Sequence, residues 1–221
     1  MKTFYSDSQF STATRELRVV NTGLMEIAMD TFKELTELQQ LHLGQNQLVR
    51  IPSEIFENMT KLESLALNEN PLILLDRDSF SHFTKLRKLN LIGSSLDDFP
   101  ALLTEQNTNL EQIWLDNNDL VLVPDFNHLP LMKSIRLSAN QIENIGPLSF
   151  ANLEKLQEIY LNDMPFLSMV EEDAFKNLPS LIDIEMSGCK KLTYIHAKAF
   201  NNLPNLRSGF IKLQRKFMQI D

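Results

Sequence analysis

Residues 38–61 read LQQLHLGQNQLVRIPSEIFENMTK, and the chain repeats this pattern at once from Leu62. The leucines, the asparagine and the phenylalanine of the first block each have a counterpart 24 residues further on, as Phe56 has Phe80. A fixed period of this length indicates a repeat architecture, and it decides the fold before any local secondary structure is considered. Each repeat packs only on its neighbours, so the sequence predicts one elongated domain.

The period extends along almost the whole chain. New blocks open at spacings of 22 to 25 residues, at Leu38, Leu62, Leu86, Leu110, Met132, Leu156, Leu181 and Leu206. We predict a lead-in over residues 1–13 and eight repeats over 14–205. The closing segment 206–221 is predicted to be either a degenerate ninth repeat or a cover for the C-terminal edge of the core.

Each repeat alternates a short strand with a turn and a return segment. Residues 113–115, Ile-Trp-Leu, alternate buried and variable positions with a period of two, which is typical of a strand with one buried face. The return segments contain Pro52, Pro100 and Pro124, and proline has no N–H for a sheet interior. A recurring phenylalanine predicts an aromatic spine opposite the strands, at Phe32, Phe56, Phe80, Phe126, Phe150, Phe175 and Phe200. Thr104 interrupts this column in the fourth repeat.

The consensus LxxLxLxxNxLxxIPxxxFxxLxx resembles the leucine-rich repeat in its phenylalanine-bearing form of about 24 residues. This form is typical of extracellular members such as Toll-type receptors, Slit-like guidance proteins and small matrix proteoglycans. The resemblance implies an α/β-type solenoid, a leucine-rich repeat horseshoe with a short parallel β-sheet on the concave face and an irregular, 3-10 or short-helical convex side. It also implies that partners, usually proteins, dock on the concave face. The cysteine-rich caps of extracellular members are missing, so we expect either a piece of a larger ectodomain or an intracellular protein.

The turn asparagine is expected to bond buried backbone groups of its own and the adjacent repeat, which builds a ladder along the solenoid. Asparagine occupies this position at Asn46, Asn70, Asn118 and Asn140. Smaller substitutes occupy it at Thr22, Ser94 and Cys189. Met164 can donate no hydrogen bond, so we expect the ladder to be rebuilt locally at that repeat.

Composition restricts the class of partner. Lysine and arginine number 21 against 29 aspartates and glutamates, a formal net charge of −8. That balance disfavours the phosphate contacts that nucleic acids require. No apolar run approaches the roughly 18 residues of a membrane helix, and the N-terminus lacks the apolar core of a secretory signal. We therefore expect no nucleic-acid partner and no direct membrane insertion by this segment.

No pattern of catalytic or metal-binding residues stands out. The four histidines, at positions 42, 82, 128 and 196, fall at different phases of the repeat, and only His42 lies on the strand face. Cys189, the one cysteine, occupies the ladder position, where a buried and unreactive thiol is expected. The sequence therefore predicts a protein that is not an enzyme and that holds no cofactor or metal.

The variable strand residues carry the prediction of a binding site. The central outward position of successive repeats holds Arg18, His42, Ala66, Asn90, Trp114, Arg136, Tyr160, Glu185 and Phe210. Because neighbouring strands lie roughly 4.8 Å apart, Trp114, Arg136 and Tyr160 are predicted neighbours on one exposed surface. These residue types dominate binding hot spots, and cation–π contacts would hold the arginine between the two rings. The alternative is a surface stack that satisfies itself and binds nothing.

Polar side chains are predicted to form a rim around this trio, at Gln112, Asp116, Ser134, Glu158 and Asn162. Asp183 and Glu185 make the surface beyond them acidic, which favours a partner with some basic character. Asn58-Met59-Thr60 is the one glycosylation sequon, and it falls on the flank or back of the solenoid.

The sequence thus predicts a protein-binding module from an extracellular or cell-surface protein. Its partner and oligomeric state stay unassigned. An intracellular leucine-rich repeat scaffold or regulatory subunit is the alternative, because the sequence shows neither a signal peptide nor caps. A recognition domain of an enzyme would need a catalytic domain beyond these termini.

Overall fold

The long parallel sheet of a solenoid organises this protein, as the sequence predicts. The computed structural model describes residues 2–4, 10–73, 75, 79–99 and 107–210. Nine short strands follow one another in a single parallel sheet. Equivalent positions of successive repeats face each other, so Leu41 pairs with Leu65 and Leu65 pairs with Leu89. This constant register carries the predicted period directly into three dimensions.

In chain order the strands are β1 (Thr3–Phe4), β2 (Glu16–Arg18), β3 (Glu26–Ile27), β4 (Gln40–His42), β5 (Ser64–Ala66), β6 (Lys88–Asn90), β7 (Gln112–Trp114), β8 (Ser134–Arg136), β9 (Asn144–Ile145), β10 (Glu158–Tyr160), β11 (Met169–Val170), β12 (Phe175–Lys176), β13 (Asp183–Glu185), β14 (Tyr194–Ile195), β15 (Phe200–Asn201) and β16 (Ser208–Phe210). The long sheet has the order β2-β4-β5-β6-β7-β8-β10-β13-β16. Within the described ranges the helical structure is one 3-10 turn, Ser53–Phe56. Residues 211–221, most of the predicted closing segment, lie outside the description.

The return side of the solenoid contains more strand than the sequence predicts. Three smaller parallel sheets form there, β1-β3, β9-β11-β14 and β12-β15. The return segments around Pro52 and Pro124 form no strand, whereas β9, β11 and β14 contain no proline. Proline cannot donate to a ladder, so these strands occupy stretches without proline, and β9 ends before Pro147. β1 lies inside the predicted lead-in and pairs with the return strand β3.

The core is a set of apolar columns between the two sides. In the long sheet, the middle residue of each strand from β2 to β13 is at most 9% exposed, at Leu17, Leu41, Leu65, Leu89, Ile113, Ile135, Ile159 and Ile184. Each column stacks identical or similar side chains at the strand spacing, so every repeat buries its neighbour's apolar face.

The predicted phenylalanine spine forms in two parts. Phe126, Phe150, Phe175 and Phe200 follow one another with ring centroids 6.3, 5.2 and 5.1 Å apart. At the other end, Phe32 stacks on Phe56 at 6.3 Å, but Phe56 then contacts Phe83 at 4.9 Å. Phe83, which the consensus assigns to leucine, thus joins Phe56 to Phe80. Thr104, the predicted break, lies outside the described residues.

The asparagine ladder is present where the sequence places it. The Asn70 Nδ2 group donates to the carbonyls of Leu43, at 3.0 Å, and Leu67, at 2.9 Å, and its Oδ1 accepts the Leu48 N–H. Asn46, Asn118 and Asn140 make the same kind of bonds to their own and the preceding repeat. The Cys189 thiol donates to the Leu161 carbonyl at 3.3 Å, so a buried thiol replaces the amide there.

Candidate functional site

The structure brings together the three side chains that the sequence singles out. β7, β8 and β10 are consecutive strands, and their register sets Trp114 opposite Arg136 and Arg136 opposite Tyr160. Both aromatic residues are half-buried, and 43% of the Arg136 side chain is exposed. The three residues therefore form one continuous surface near the middle of the sheet, which we call the central patch.

Arg136 stacks on one ring of the central patch and not on both. Its guanidinium carbon lies 5.1 Å from the centroid of the Tyr160 ring, within the range of a cation–π contact. Its Nε donates to the Asp116 Oδ2 at 2.8 Å. The predicted sandwich between Trp114 and Tyr160 is therefore wrong in one half, because a carboxylate binds the guanidinium in place of the second ring.

Asp116 was predicted to lie on the rim, and the structure corrects this. Its side chain is only 5% exposed. One oxygen binds Arg136, and the other accepts the backbone N–H of Ser138 at 2.9 Å. Asp116 thus holds Arg136 in place. Asp116 lies just past β7, and the Ser138 N–H that it accepts has no backbone partner in the described part of the sheet. This position, just past a strand, is the signal that could have identified its role.

Asn162 repeats this arrangement two repeats further on. Its Oδ1 accepts the Ser187 N–H at 2.8 Å, and its Nδ2 donates to the Glu185 carboxylate at 2.8 Å. Ser138, at the same repeat position between the two, accepts the Asn162 N–H on its hydroxyl at 3.1 Å. This line of side chains links successive repeats just past β7, β8 and β10. It fixes the face of the sheet on which the central patch lies.

The rest of the predicted rim is mixed in exposure. Ser134 is buried, Gln112 and Glu185 are half-buried, and Glu158 is exposed. In register, Glu158 lies opposite Asp183, and Tyr160 lies opposite Glu185. Burial, followed by the neighbouring carboxylates, raises the pKa of the Tyr160 phenol, and Arg136 opposes this only in part. The face from β10 to β13 is thus acidic.

The two carboxylates that directly precede β5 and β7 are compensated by bases. Glu111 binds Arg87 at 2.8 Å and Lys133 at 2.9 Å, and Arg87 also lies 4.0 Å from Glu63. The hydrogen bond from Lys133 is the main cause that lowers the pKa of Glu111. Surface pairs of this kind contribute little stability singly, but their alternation leaves this edge of the sheet nearly neutral.

The described residues lack the features of a metal site and of a reactive thiol. They contain no group of three or more His, Cys, Asp or Glu placed to hold a metal ion. His42 lies on the sheet face 3.9 Å from Glu16, and burial lowers its pKa. Cys189 is buried, and burial raises the pKa of its thiol, which keeps it protonated. No helix in the described ranges has the length and apolarity of a membrane span.

Two further surfaces lie off the concave face. Asn58 is half-buried in the turn after the Ser53–Phe56 helix, and Thr60 of the sequon is exposed. Exposed apolar side chains also recur at one repeat position on the flank after the sheet, and we call this set the flank row. Its members are Met25, Val49, Ile73 and Val121.

Two family models match the sequence. The model described as Leucine rich repeat matches residues 12–72 and 36–96. The model described as BspA type Leucine rich repeat region (6 copies) matches residues 125–221. Among curated proteins, none matches the chain.

Solved structures share the solenoid at low sequence identity. A chain of the TLR13–ssRNA13 complex has a TM-score of 0.73 at 22% identity, with 83% of this chain and 28% of that chain covered. The APL1 leucine-rich repeat domain has a TM-score of 0.71 at 19% identity, with 97% and 60% covered. A chain of the Drosophila Toll–Spatzle complex has a TM-score of 0.65 at 19% identity, with 90% and 33% covered.

This chain spans less than two thirds of each of these three chains, and the likeness shows the fold alone. The leucine-rich repeat fold generally serves as a protein-interaction scaffold without catalytic activity. Family models that match both halves of the sequence, together with the shared solenoid, place this chain in the leucine-rich repeat family.

Proposed function

We propose that this chain is a protein-recognition module that binds its partner on the concave face, centred on the central patch. The proposal rests on one observation: Trp114, Arg136 and Tyr160 lie side by side on three adjacent strands. Tryptophan, tyrosine and arginine are the side chains that most often dominate binding energy. A fold that needed only a solvated sheet face would not require three of them side by side.

The side chains of this surface are held in place before a partner binds, and we propose that recognition depends on this order. Asp116 and Asn162 hold Arg136 and Glu185 through bonds of 2.8 Å, and both also bind backbone of the following repeat. Side chains fixed in this way lose little conformational entropy when a partner docks. The affinity then depends on contact and desolvation at the patch and not on rearrangement of the solenoid.

Protein is the partner class that the surface favours. The relatives in complex show that this fold can bind either kind of ligand, since TLR13 was solved with ssRNA and Toll with Spatzle. Here the net charge is −8, and β10 and β13 carry uncompensated carboxylates. Such a surface repels phosphate, so we propose no nucleic-acid ligand. We also propose no enzymatic activity and no cofactor.

Fluorine spectroscopy of the single tryptophan tests this proposal. The chain has one tryptophan, so labelling with 5-fluorotryptophan gives one resonance, at Trp114 in the central patch. A protein partner captured on the immobilised chain is expected to shift or broaden that resonance. The comparison protein carries Trp114→Phe with Ile73→Trp, which moves the label to the flank row. If the partner changes the resonance at position 73 and leaves the Trp114 resonance unchanged, the partner binds at the flank row and the proposal is refuted.

We further propose an extracellular or cell-surface location, supported by the Asn58 sequon and by the Toll-type neighbours. When the chain is secreted from mammalian cells, we expect one N-linked glycan, removed by peptide-N-glycosidase and absent from Asn58→Gln. Because Asn58 lies off the concave face, partner binding is expected to be equal with and without the sugar. An unmodified Asn58 in chain isolated from its native source would favour the intracellular alternative.

A further inference from the structure

We infer that the partner presents a basic segment whose lysine or arginine side chains bind beside Tyr160 among the carboxylates of Glu158, Asp183 and Glu185. This inference rests on the proposed function and names the chemistry of the partner. Three observations carry it: the cancelled charge of Arg136, the uncompensated carboxylates of β10 and β13, and the aromatic ring between them.

The charge of Arg136 is cancelled within the chain. Its Nε binds the Asp116 carboxylate at 2.8 Å, and that carboxylate is almost fully buried. The ion pair therefore presents no net positive charge to an incoming partner. An acidic partner would find little attraction at the central patch, even though an arginine lies in its middle.

The acidic face beside it has no such compensation. Glu158 and Asp183 lie directly opposite each other on β10 and β13, and like charges in that position destabilise a sheet. Glu185 lies next to them and receives one hydrogen bond, from the neutral amide of Asn162. None of the ion pairs among the described residues includes these three carboxylates, whereas Glu111 before β7 binds two bases. The fold gains nothing from this arrangement, which is what a binding surface often shows.

Asp183 adds a second and independent sign of an absent donor. Its Oδ1 is enclosed by the protein and has no hydrogen-bond partner among the described residues. An enclosed acceptor without a donor is unfavourable, and native structures rarely keep one without a reason. This oxygen is therefore one more unpaired acceptor within the acidic face formed by β10 and β13.

Tyr160 completes a site for a cation. Its ring already takes one guanidinium, that of Arg136, at 5.1 Å. Burial, followed by the negative charge of the same three carboxylates, raises the pKa of its phenol. An aromatic ring beside carboxylates binds lysine and arginine side chains through both cation–π and ionic contacts.

Selection from a phage-displayed library of random 12-residue peptides tests the inference. The native chain is used with a triple variant, Glu158→Gln, Asp183→Asn and Glu185→Gln, which removes three negative charges from the face. A matched triple, Glu34→Gln, Glu57→Gln and Glu154→Gln, removes three from exposed positions elsewhere. A fourth protein, Trp114→Ser with Tyr160→Ser, removes the aromatic part of the patch.

We expect selected peptides to be rich in lysine and arginine and to bind the native chain and the matched triple equally. Their affinity is expected to fall at least about tenfold in the face triple and to weaken with added salt. The face triple should unfold at the same or a higher temperature, because it relieves repulsion between like charges.

Several results would overturn the inference, each in a different way. Peptides that are not basic, yet require Trp114 and Tyr160, would refute the basic partner and leave the proposed function standing. If the selected peptides bind the face triple and the Trp114→Ser with Tyr160→Ser protein as well as the native chain, both the inference and the proposed function are refuted. The same holds if no peptide is enriched. Preferential capture of a single-stranded RNA probe, run beside the library, would also contradict a basic partner.

Discussion

Replacing Tyr160 with alanine is expected to weaken partner binding by about 30-fold or more, which corresponds to the roughly 2 kcal/mol typical of a hot-spot residue. The change removes the contact area of the ring and also the surface over which Arg136 lies at 5.1 Å. Titration calorimetry with the captured partner measures the loss. Because Tyr160 is half-exposed, we expect the free energy of unfolding to change by less than about 1 kcal/mol.

Phe166 provides a matched control for this prediction. It is 41% exposed, and the Lys191 ammonium lies 4.4 Å from its ring centroid, so it too is an exposed aromatic under a cation. Phe166 belongs to a turn outside the long sheet. Phe166→Ala is expected to leave the affinity unchanged, and Tyr160→Phe to keep most of it. Equal losses in Phe166→Ala and Tyr160→Ala would mean that the effect does not come from the concave face.

The repeat period explains why the location of the central patch could be predicted from sequence. In a parallel sheet of constant register, residues at the same repeat position become neighbours, so counting alone sets Trp114 beside Arg136 and Tyr160. The same counting could not show that Asp116 is buried against Arg136. That depends on side-chain direction just past the strand, where the consensus permits any residue. Counting therefore gives the neighbours within a column but not the contacts between columns.

The partners of residues that depart from the repeat consensus could also not be predicted from the sequence. Asn107 occupies a position that holds leucine in most repeats, yet it is completely buried. Its Nδ2 donates to the carbonyls of Phe80, at 3.3 Å, and Phe83, at 2.9 Å, in the repeat before it, while its Oδ1 has no partner among the described residues. A polar side chain in a core column is tolerable only when such partners exist. Their positions follow from the packed structure, which the sequence does not give.

Scaffold and binding surface are coupled because a solenoid has only nearest-neighbour contacts. The central patch spans three successive repeats, so its geometry depends on the packing between those repeats. Phe150 lies in the repeat of β8, on the opposite side of the core from Arg136. It is completely buried and stacks between Phe126, at 6.3 Å, and Phe175, at 5.2 Å. A cavity at Phe150 would therefore loosen the contact between the repeats that carry Arg136 and Tyr160.

Phe150→Ala is accordingly expected to lower the free energy of unfolding by about 3–5 kcal/mol, as is usual when a buried aromatic side chain is deleted. Two stacked ring contacts are lost in addition to the buried area. Denaturant titration followed by circular dichroism measures the change. Phe166→Ala, the same substitution at an exposed ring, should cost less than about 1 kcal/mol.

Tyr160→Ala and Phe150→Ala together separate the role of the sheet face in binding from the role of the buried phenylalanine spine in stability. Tyr160→Ala should lose binding and keep stability, whereas Phe150→Ala should lose stability first. Its binding should recover when the temperature is lowered or a tightly bound partner is present in excess, because a partner that binds only the folded state stabilises it. If Phe150→Ala instead bound weakly at every temperature while its unfolding free energy stayed native, the spine would be acting on the partner directly. The separation of scaffold from recognition surface would then be wrong.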